Sequence, residues 1–269
     1  MKTTPYKAIA SHAEQWAREA GKIQLSYFRN KHLSAETKSS VYDLVTEVDK
    51  KCEELLLEKI NTIYPQHNVI GEESGSHDNG GEFCWIIDPL DGTTNYSQGF
   101  PIFCVSIGIQ HQKETVIGVV YVPYLDEMYS AIKGEGALLN GKPITVSDKK
   151  ELSECVLATG FPYDKSTNPD NNLDNVYRIV PHIRGLRRTG SAAFDLCSVA
   201  AGTLDGYWEL NLHLWDVAAG ELIVSEAKGM VRPFKENRSI SICAGNPTIV
   251  QAIYNYLDNN VINKQTIFS

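Results

Sequence analysis

The chain has 269 residues, 42% of them hydrophobic and 22% charged, with a formal net charge of -8. This composition excludes the disordered and fibrous classes and suits one large domain or two smaller ones. The negative balance leaves no surplus of cations to neutralise a nucleic-acid backbone or an anionic membrane surface, so neither is an expected partner.

The first twenty residues carry charges throughout and lack an unbroken apolar core, which reads as neither signal peptide nor membrane anchor. Six cysteines stand singly, without a CxxC pair, and read as buried thiols of a reducing compartment. The cytoplasm is the expected location.

Ile9, Ala13, Trp16, Ala17, Ala20, Ile23 and Phe28 recur at three- and four-residue steps and predict a helix from about Tyr6 to Asn30. A second helix is expected from about Val48 to Tyr64. Between them KHLSAETKSSVYD is polar and aperiodic and reads as an exposed, mobile loop. After Pro65 come the short apolar runs NVIG, CWIID, FCVSIGIQ, ETVIGVVYVP and EMYSAIKG, which predict a largely antiparallel sheet. The Gly-rich, then polar stretch GEGALLNGKPITVSDKKELSE marks the expected division into parts 1–150 and 151–269.

VLATG then reads as a strand, and the Asp- and Asn-rich segment from Asp164 to Asp174 as a loop without an assigned role. A helix is expected through Val176 to Ile183, and a small-residue helix face at Ala193, Leu196, Cys197, Ala200 and Ala201. WDVAAGELIVSEAKG predicts a helix stopped by Gly229, SISICAG a closing strand and TIVQAIYNYL a closing helix. The sum is an α+β protein of two sheet-containing halves.

The chemistry concentrates in CWIIDPLDGTTNY, where Asp88 ends a buried strand, Pro89 cannot continue the ladder and Asp91 precedes Gly92, Thr93 and Thr94, which could open a helix. Two carboxylates three residues apart on a tight turn suit a hard cation, and the N–H groups of Gly92 and Thr93 suit a phosphate oxygen. The ordinary alternative makes Asp91 an N-cap and Asp88 a solvated strand end. Glu72 and Glu73 follow the strand NVIG, with a solvated loop as their plain reading. Asp43 and Asp49 flank Thr46, where acids also complement a helix dipole, and Asp216 sits at a helix start as a possible N-cap. No zinc spacing, GxSxG, Walker A loop or GxGxxG is present, so the oxygen ligands favour Mg2+, Mn2+ or Ca2+.

GEES, WIIDPLDGTTNY, RRTGSAAFDLC and YWELNLHLWDVAAGELIVSEAKG resemble the inositol monophosphatase family of Mg2+-dependent, lithium-sensitive phosphatases, from about Ala8 to Ala244. The resemblance implies a five-layered αβαβα sandwich of the sugar-phosphatase type, assembled as a homodimer. It implies two or three Mg2+ ions, with Mn2+ a substitute and Li+ and Ca2+ inhibitory. Glu72, Asp88, the carbonyl of Leu90, Asp91 and Asp216 would be metal ligands, Asp88 bridging two ions. Thr93 would orient the attacking water with Asp49 or Glu72, and the amides of Gly92 and Thr93 would hold the phosphate. Gly190, Ser191, Ala192 and Glu209, with Asp91 and Asp216, would face the substrate, and Lys38 would be the lid residue near a third metal. The departures are EAKG at Lys228, where EAGG is commoner, and YSQG at Gln98.

The expected reaction is hydrolysis of inositol monophosphate by in-line attack of metal-activated water, with Asp216 holding the second ion beside the leaving oxygen. Two other readings compete. One is the same chemistry on fructose 1,6-bisphosphate, NADP(H), 3′-phosphoadenosine nucleotides or histidinol phosphate; the other is a non-catalytic Mg2+-gated binding or regulatory protein. Glu209, able to accept bonds from two hydroxyls, favours a polyol over a nucleotide.

Overall fold

The computed structural model describes residues 5–29, 35–37 and 44–257. Helix α1 (Pro5–Tyr27) and helix α2 (Glu47–Ile63) follow the two predicted periodic segments within a few residues. The polar stretch between them contains a short ribbon the sequence did not suggest, β1 (Ala35–Thr37) paired antiparallel with β2 (Leu44–Thr46). Lys38 and Asp43 lie outside the described residues.

The first large sheet comprises β3 (Asn68–Gly71), β4 (Gly75–His77), β5 (Phe83–Asp91), β6 (Cys104–His111), β7 (Glu114–Val122), β8 (Glu127–Ile132), β9 (Gly136–Leu139) and β10 (Lys142–Pro143). Its order is β10-β9-β8-β7-β6-β5-β3-β4, and every pairing is antiparallel except β3 with β5. The turn HQKE closes β6 onto β7 with Gln112 and Lys113 both at positive φ, 52° and 69°. Two such residues match the right-handed twist of the flanking strands. After β5 comes the five-residue helix α3 (Thr93–Ser97).

The second sheet contains β11 (Val156–Thr159), β12 (Gly185–Arg187), β13 (Gly206–Leu212), β14 (Met230–Pro233) and β15 (Ile240–Gly245), in the order β12-β11-β13-β15-β14. The helices of this half are α4 (Leu173–Ile179), α5 (Ala192–Ala200), α6 (Leu214–Glu226) and α7 (Pro247–Leu257). Helix α4 stops before Pro181, earlier than the sequence pattern suggests, because a 3-10 turn (Val180–His182) takes its place. Helix α6 ends at Glu226, three residues before the expected stop: Lys228, not Gly229, takes the left-handed conformation after it (φ 66°). That backbone favours glycine, so the departure EAKG places a lysine at a mildly strained position.

Three hydrophobic cores hold the layers together. Helices α1 and α2 cover one face of the first sheet through Trp16, Leu56, Trp85 and Ile107. Helices α5 and α6 fill the space between the sheets through Leu196, Ile223 and Tyr207, and α7 with α4 covers the outer face of the second sheet through Ile253, Ile179 and Trp208. This is the five-layered αβαβα sandwich. Among the described residues no helix is long and apolar enough to cross a membrane.

One ring stack at the edge of the first core holds a partly buried histidine. His67 lies between Tyr64 and Phe83, with centroids 4.6 and 4.8 Å away, and its Nδ1 accepts the indole N–H of Trp85 at 3.0 Å. An indole nitrogen only donates, so His67 must keep Nδ1 unprotonated. Burial accordingly pushes its pKa below 6.5. A base with a lowered folded pKa contributes its full stability above the unfolded value and loses it as pH falls below that value. The expected result is a urea midpoint that declines more steeply in wild type than in His67→Phe between about pH 7 and pH 5. Parallel slopes in the two proteins would remove His67 from the acid response.

Candidate active site

Strand β5 runs past Pro89 to Asp91, farther than the sequence suggests, because a bulge replaces the expected strand end. Asp88 lies opposite Ser106 and Asp91 opposite Cys104, so three residue steps on β5 match two on β6. In a regular strand residues three apart point to opposite faces; one extra residue returns them to the same face. Both carboxylates consequently line one cavity of about 410 Å3. Pro89 has no N–H to waste in the bulge, and its carbonyl accepts Nε2 of the buried Gln24 at 2.8 Å.

Glu72 reaches the same cavity because β3 is parallel to β5 and ends at the same edge; its N–H donates to the Ile87 carbonyl at 3.1 Å. The turn after it is held by the buried Glu53, whose two oxygens accept the N–H groups of Glu73 (3.0 Å) and Ser74 (2.7 Å). Gly92 follows Asp91 at φ 96°, a left-handed backbone, and is itself the N-cap of α3. Asp91 is therefore not the N-cap. It accepts instead from the Ser191 hydroxyl and the Ala193 N–H, each at 2.7 Å, which docks the start of α5 on the carboxylate.

Asp216 arrives from the other half of the chain. Helix α6 lies directly on the first sheet where Gly108 of β6 faces Gly118 of β7: a Cβ on Gly108 would stand 2.7 Å from the Ala218 Cβ, and one on Gly118 2.6 Å from the Ala219 carbonyl oxygen. Asp216 is the third residue of α6, with His213 as the N-cap, and its carboxylate accepts the His213 N–H at 2.7 Å. The N-cap expected at Asp216 thus lies three residues earlier.

Gly92, Thr93, Leu90, Gly190, Ser191, Ala192 and Glu209 line the same cavity. Asp49 stands behind it, fully buried, as the third residue of α2 with its carboxylate on the Thr46 N–H (3.0 Å). It connects to the cavity through the Thr93 hydroxyl, which lies 3.0 Å from both Asp49 Oδ1 and the Leu90 carbonyl and can donate to one of them at a time. The Ser191 hydroxyl is committed to Asp91 and also caps α5 at Phe194, which leaves it acting through Asp91. Glu209 accepts the Tyr207 hydroxyl at 2.7 Å.

The electrostatics are those of crowded acids. Burial raises the Asp88 pKa well above its ordinary value, and the charges of Glu72, Asp91 and Asp216 raise it further. Asp216 is raised by burial and by Asp91, against the His213 N–H; Asp91 is raised by burial, against the donors at Ser191, Ala193 and Ala192. Asp49 is raised by burial against Thr46 and Thr93. Burial carries Glu209 up to about 7, opposed by the Tyr207 hydroxyl and the charge of Arg188.

Among the described residues no three His, Cys, Asp or Glu side chains close into a metal cage. What fits a hard cation is the donor chemistry: four carboxylates, from Glu72, Asp88, Asp91 and Asp216, facing one cavity, where their charges push the pKa values of Asp88 and Asp216 up.

Sequence reading missed Arg188, Lys165 and Tyr163, which also line the cavity. Arg188 lies inside the string RRTGSAAFDLC and could have been found there; Lys165 belongs to the unassigned Asp- and Asn-rich region, Tyr163 immediately precedes it, and neither carried a local signal.

The family model for the inositol monophosphatase family matches residues 6–265. The chain belongs to this family. It is 45% identical over 224 residues to inositol monophosphatase 2 of Solanum lycopersicum, covering 80% of this chain and 83% of that one. It is 41% identical over 244 residues to the Nus factor SuhB of Pasteurella multocida, covering 89% and 91%. The crystal structure of the extragenic suppressor protein suhB from Bartonella henselae superposes with a TM-score of 0.88 at 35% identity, covering 94% of this chain and 100% of that one. SaIMPase-II has been solved with inositol monophosphate bound (TM-score 0.77, 31% identity, 93% and 94% covered) and with 2'AMP bound (0.78, 32%, 93% and 95%). As an inositol monophosphatase family member the protein is a phosphomonoesterase, and the catalytic reading of its sequence prevails over the non-catalytic one.

Proposed function

We propose that this phosphatase hydrolyses inositol monophosphate to inositol and phosphate with Mg2+ as its cofactor. The observation that carries the proposal is the convergence of Glu72, Asp88, Asp91 and Asp216 from three separate elements on one cavity that also holds Glu209. These four side chains and the Leu90 carbonyl would hold the ions. What divalent ions supply there is neutralisation of the phosphate charge, a more acidic water and stabilisation of the leaving oxygen.

The rest is done by the chain. With its proton on Asp49 Oδ1, Thr93 Oγ1 presents lone pairs to a water and can pass that water's proton to the buried carboxylate 3.0 Å behind it. The amides of Gly92 and Thr93 would take phosphate oxygens, and the left-handed backbone at Gly92 lets the chain turn beneath them. Glu209 would accept hydrogen bonds from two neighbouring hydroxyls of the leaving group. Mn2+ would substitute for Mg2+, Li+ and Ca2+ would inhibit, and the assembled form would be a homodimer in the cytoplasm.

Inositol monophosphate in SaIMPase-II supports a polyol substrate, and 2'AMP in the same protein supports nucleotide monophosphates as the second reading. Phosphate release with Mg2+ across inositol 1-phosphate, fructose 1,6-bisphosphate, NADP+, 2'AMP and 3′-phosphoadenosine 5′-phosphate decides between them. The highest kcat/KM is expected for inositol 1-phosphate, and a higher value for a nucleotide would overturn the polyol assignment.

A further inference from the structure

The region around the Asp- and Asn-rich loop packs against Glu209, the cavity carboxylate read above as the acceptor of leaving-group hydroxyls. We propose that Gly160 and Asn172 are positioning residues that set leaving-group specificity by fixing the Glu209 carboxylate. The inference rests on the reading of Glu209 as the group that accepts substrate hydroxyls.

Gly160 follows β11, whose parallel register with β13 sets Thr159 against Trp208 and so brings Gly160 beside Glu209. A Cβ on Gly160 would stand 2.0 Å from Oε1 and 2.1 Å from Cδ and Oε2 of Glu209, and these are its three nearest atoms. The carboxylate therefore lies flat on the Gly160 Cα, in space that any side chain would occupy. The Tyr207 hydroxyl donates to Oε2 at 2.7 Å.

Asn172 fixes this shelf. It is buried, in left-handed backbone (φ 76°), and its amide group makes four bonds. Nδ2 donates to the Gly160 carbonyl (2.6 Å) and Thr159 Oγ1 (2.8 Å), while Oδ1 accepts from Trp208 Nε1 (2.9 Å) and Asn175 Nδ2 (3.0 Å). Thr159 Oγ1 in turn donates to the Trp208 carbonyl at 2.6 Å, next to Glu209 in the chain. The intervening loop is tied down by Arg238, bidentate to Asp164 at 2.8 Å through both contacts, and by Lys235 on Asp170. A carboxylate that must meet two hydroxyls at once needs a fixed plane, and a clamped loop over a bare glycine provides one.

Gly160→Ala tests this without disturbing the backbone, because Gly160 is absent from the left-handed residues and its clash is with a carboxylate that can swing toward the cavity. The readout is the ratio of kcat/KM for inositol 1-phosphate to that for p-nitrophenyl phosphate, which lacks the hydroxyls. The expected result is a fall in this ratio of about tenfold, carried by KM, in Gly160→Ala and in Glu209→Ala alike, with no further fall in the double variant. An unchanged ratio in Gly160→Ala beside a lowered one in Glu209→Ala would overturn the inference and leave the proposed function standing. Additive losses in the double variant would overturn it as well, since Gly160 would then act apart from Glu209. Unchanged ratios in both single variants would remove the role of Glu209 and this inference together. Absence of hydrolysis of either phosphate by the wild type would overturn the proposed function itself.

Discussion

Asp91→Asn is expected to leave the fold intact and lower phosphate release by about a hundredfold or more, because even partners one step removed from a bound metal typically cost about 10- to 100-fold. The geometry separates charge from shape at this position. Oδ2 accepts the Ser191 hydroxyl and the Ala193 N–H, and an asparagine carbonyl oxygen can accept both with nearly the same volume. What disappears is one negative charge among four crowded acids. In chelator the variant should unfold at or above the wild-type temperature, because burial already disfavours the Asp91 anion. With Mg2+ added, wild type should gain thermal stability and the variant little. Circular dichroism melts with a phosphate-release assay check both halves. A variant that remains fully active would return Asp91 to a structural role as the acceptor on which α5 docks.

Removal of divalent ions is expected to abolish activity altogether, and Mg2+ to restore it. Lys165 and Arg188 are the cationic side chains lining the cavity among the described residues, and the charge of Arg188 acts on Glu209 and Asp195. At Mg2+ about 100-fold above its dissociation constant, linkage adds about 2.7 kcal/mol to stability. For a chain of this size that is a rise in Tm of roughly 5 to 10 °C. Ca2+ should raise Tm as well but support little turnover, since its larger and looser coordination shell misplaces the attacking water. Full turnover in excess EDTA would sink the metal reading, and equal rates with Mg2+ and Ca2+ would show that coordination geometry does not control the step.

Much of the molecule is written locally. The spacing of Ala13, Trp16, Ala17 and Ala20 determines a buried helix face, and the α1 and α2 bounds follow it closely. Burial of one face of one element is a property of neighbouring residues, so periodicity reports it. The same holds for Asp88, Asp91, Gly92 and Thr93, which lie within six consecutive residues and reach the cavity wherever that strand ends. Their resemblance to a known signature, with WDVAAG downstream, was sufficient to name the family from sequence.

Pairing and docking were decided elsewhere. The bulge that turns Asp88 and Asp91 to one face depends on the register with Ser106 and Cys104, and a strand's own residues do not encode which partner step is skipped. Asp216 reads alone as an N-cap; its place at the cavity comes from Ala218 and Ala219 pressing on Gly108 and Gly118, about a hundred residues earlier in the chain. The Asp- and Asn-rich loop has no periodicity to read, and its order comes from Arg238, Lys235 and Trp208. The sequence by itself determined the long periodic helices, the apolar strands and the acids of the DPLDG turn; only the tertiary structure decided which distant groups meet them. Such contacts depend on the register and close approach of separate elements, which no local pattern contains.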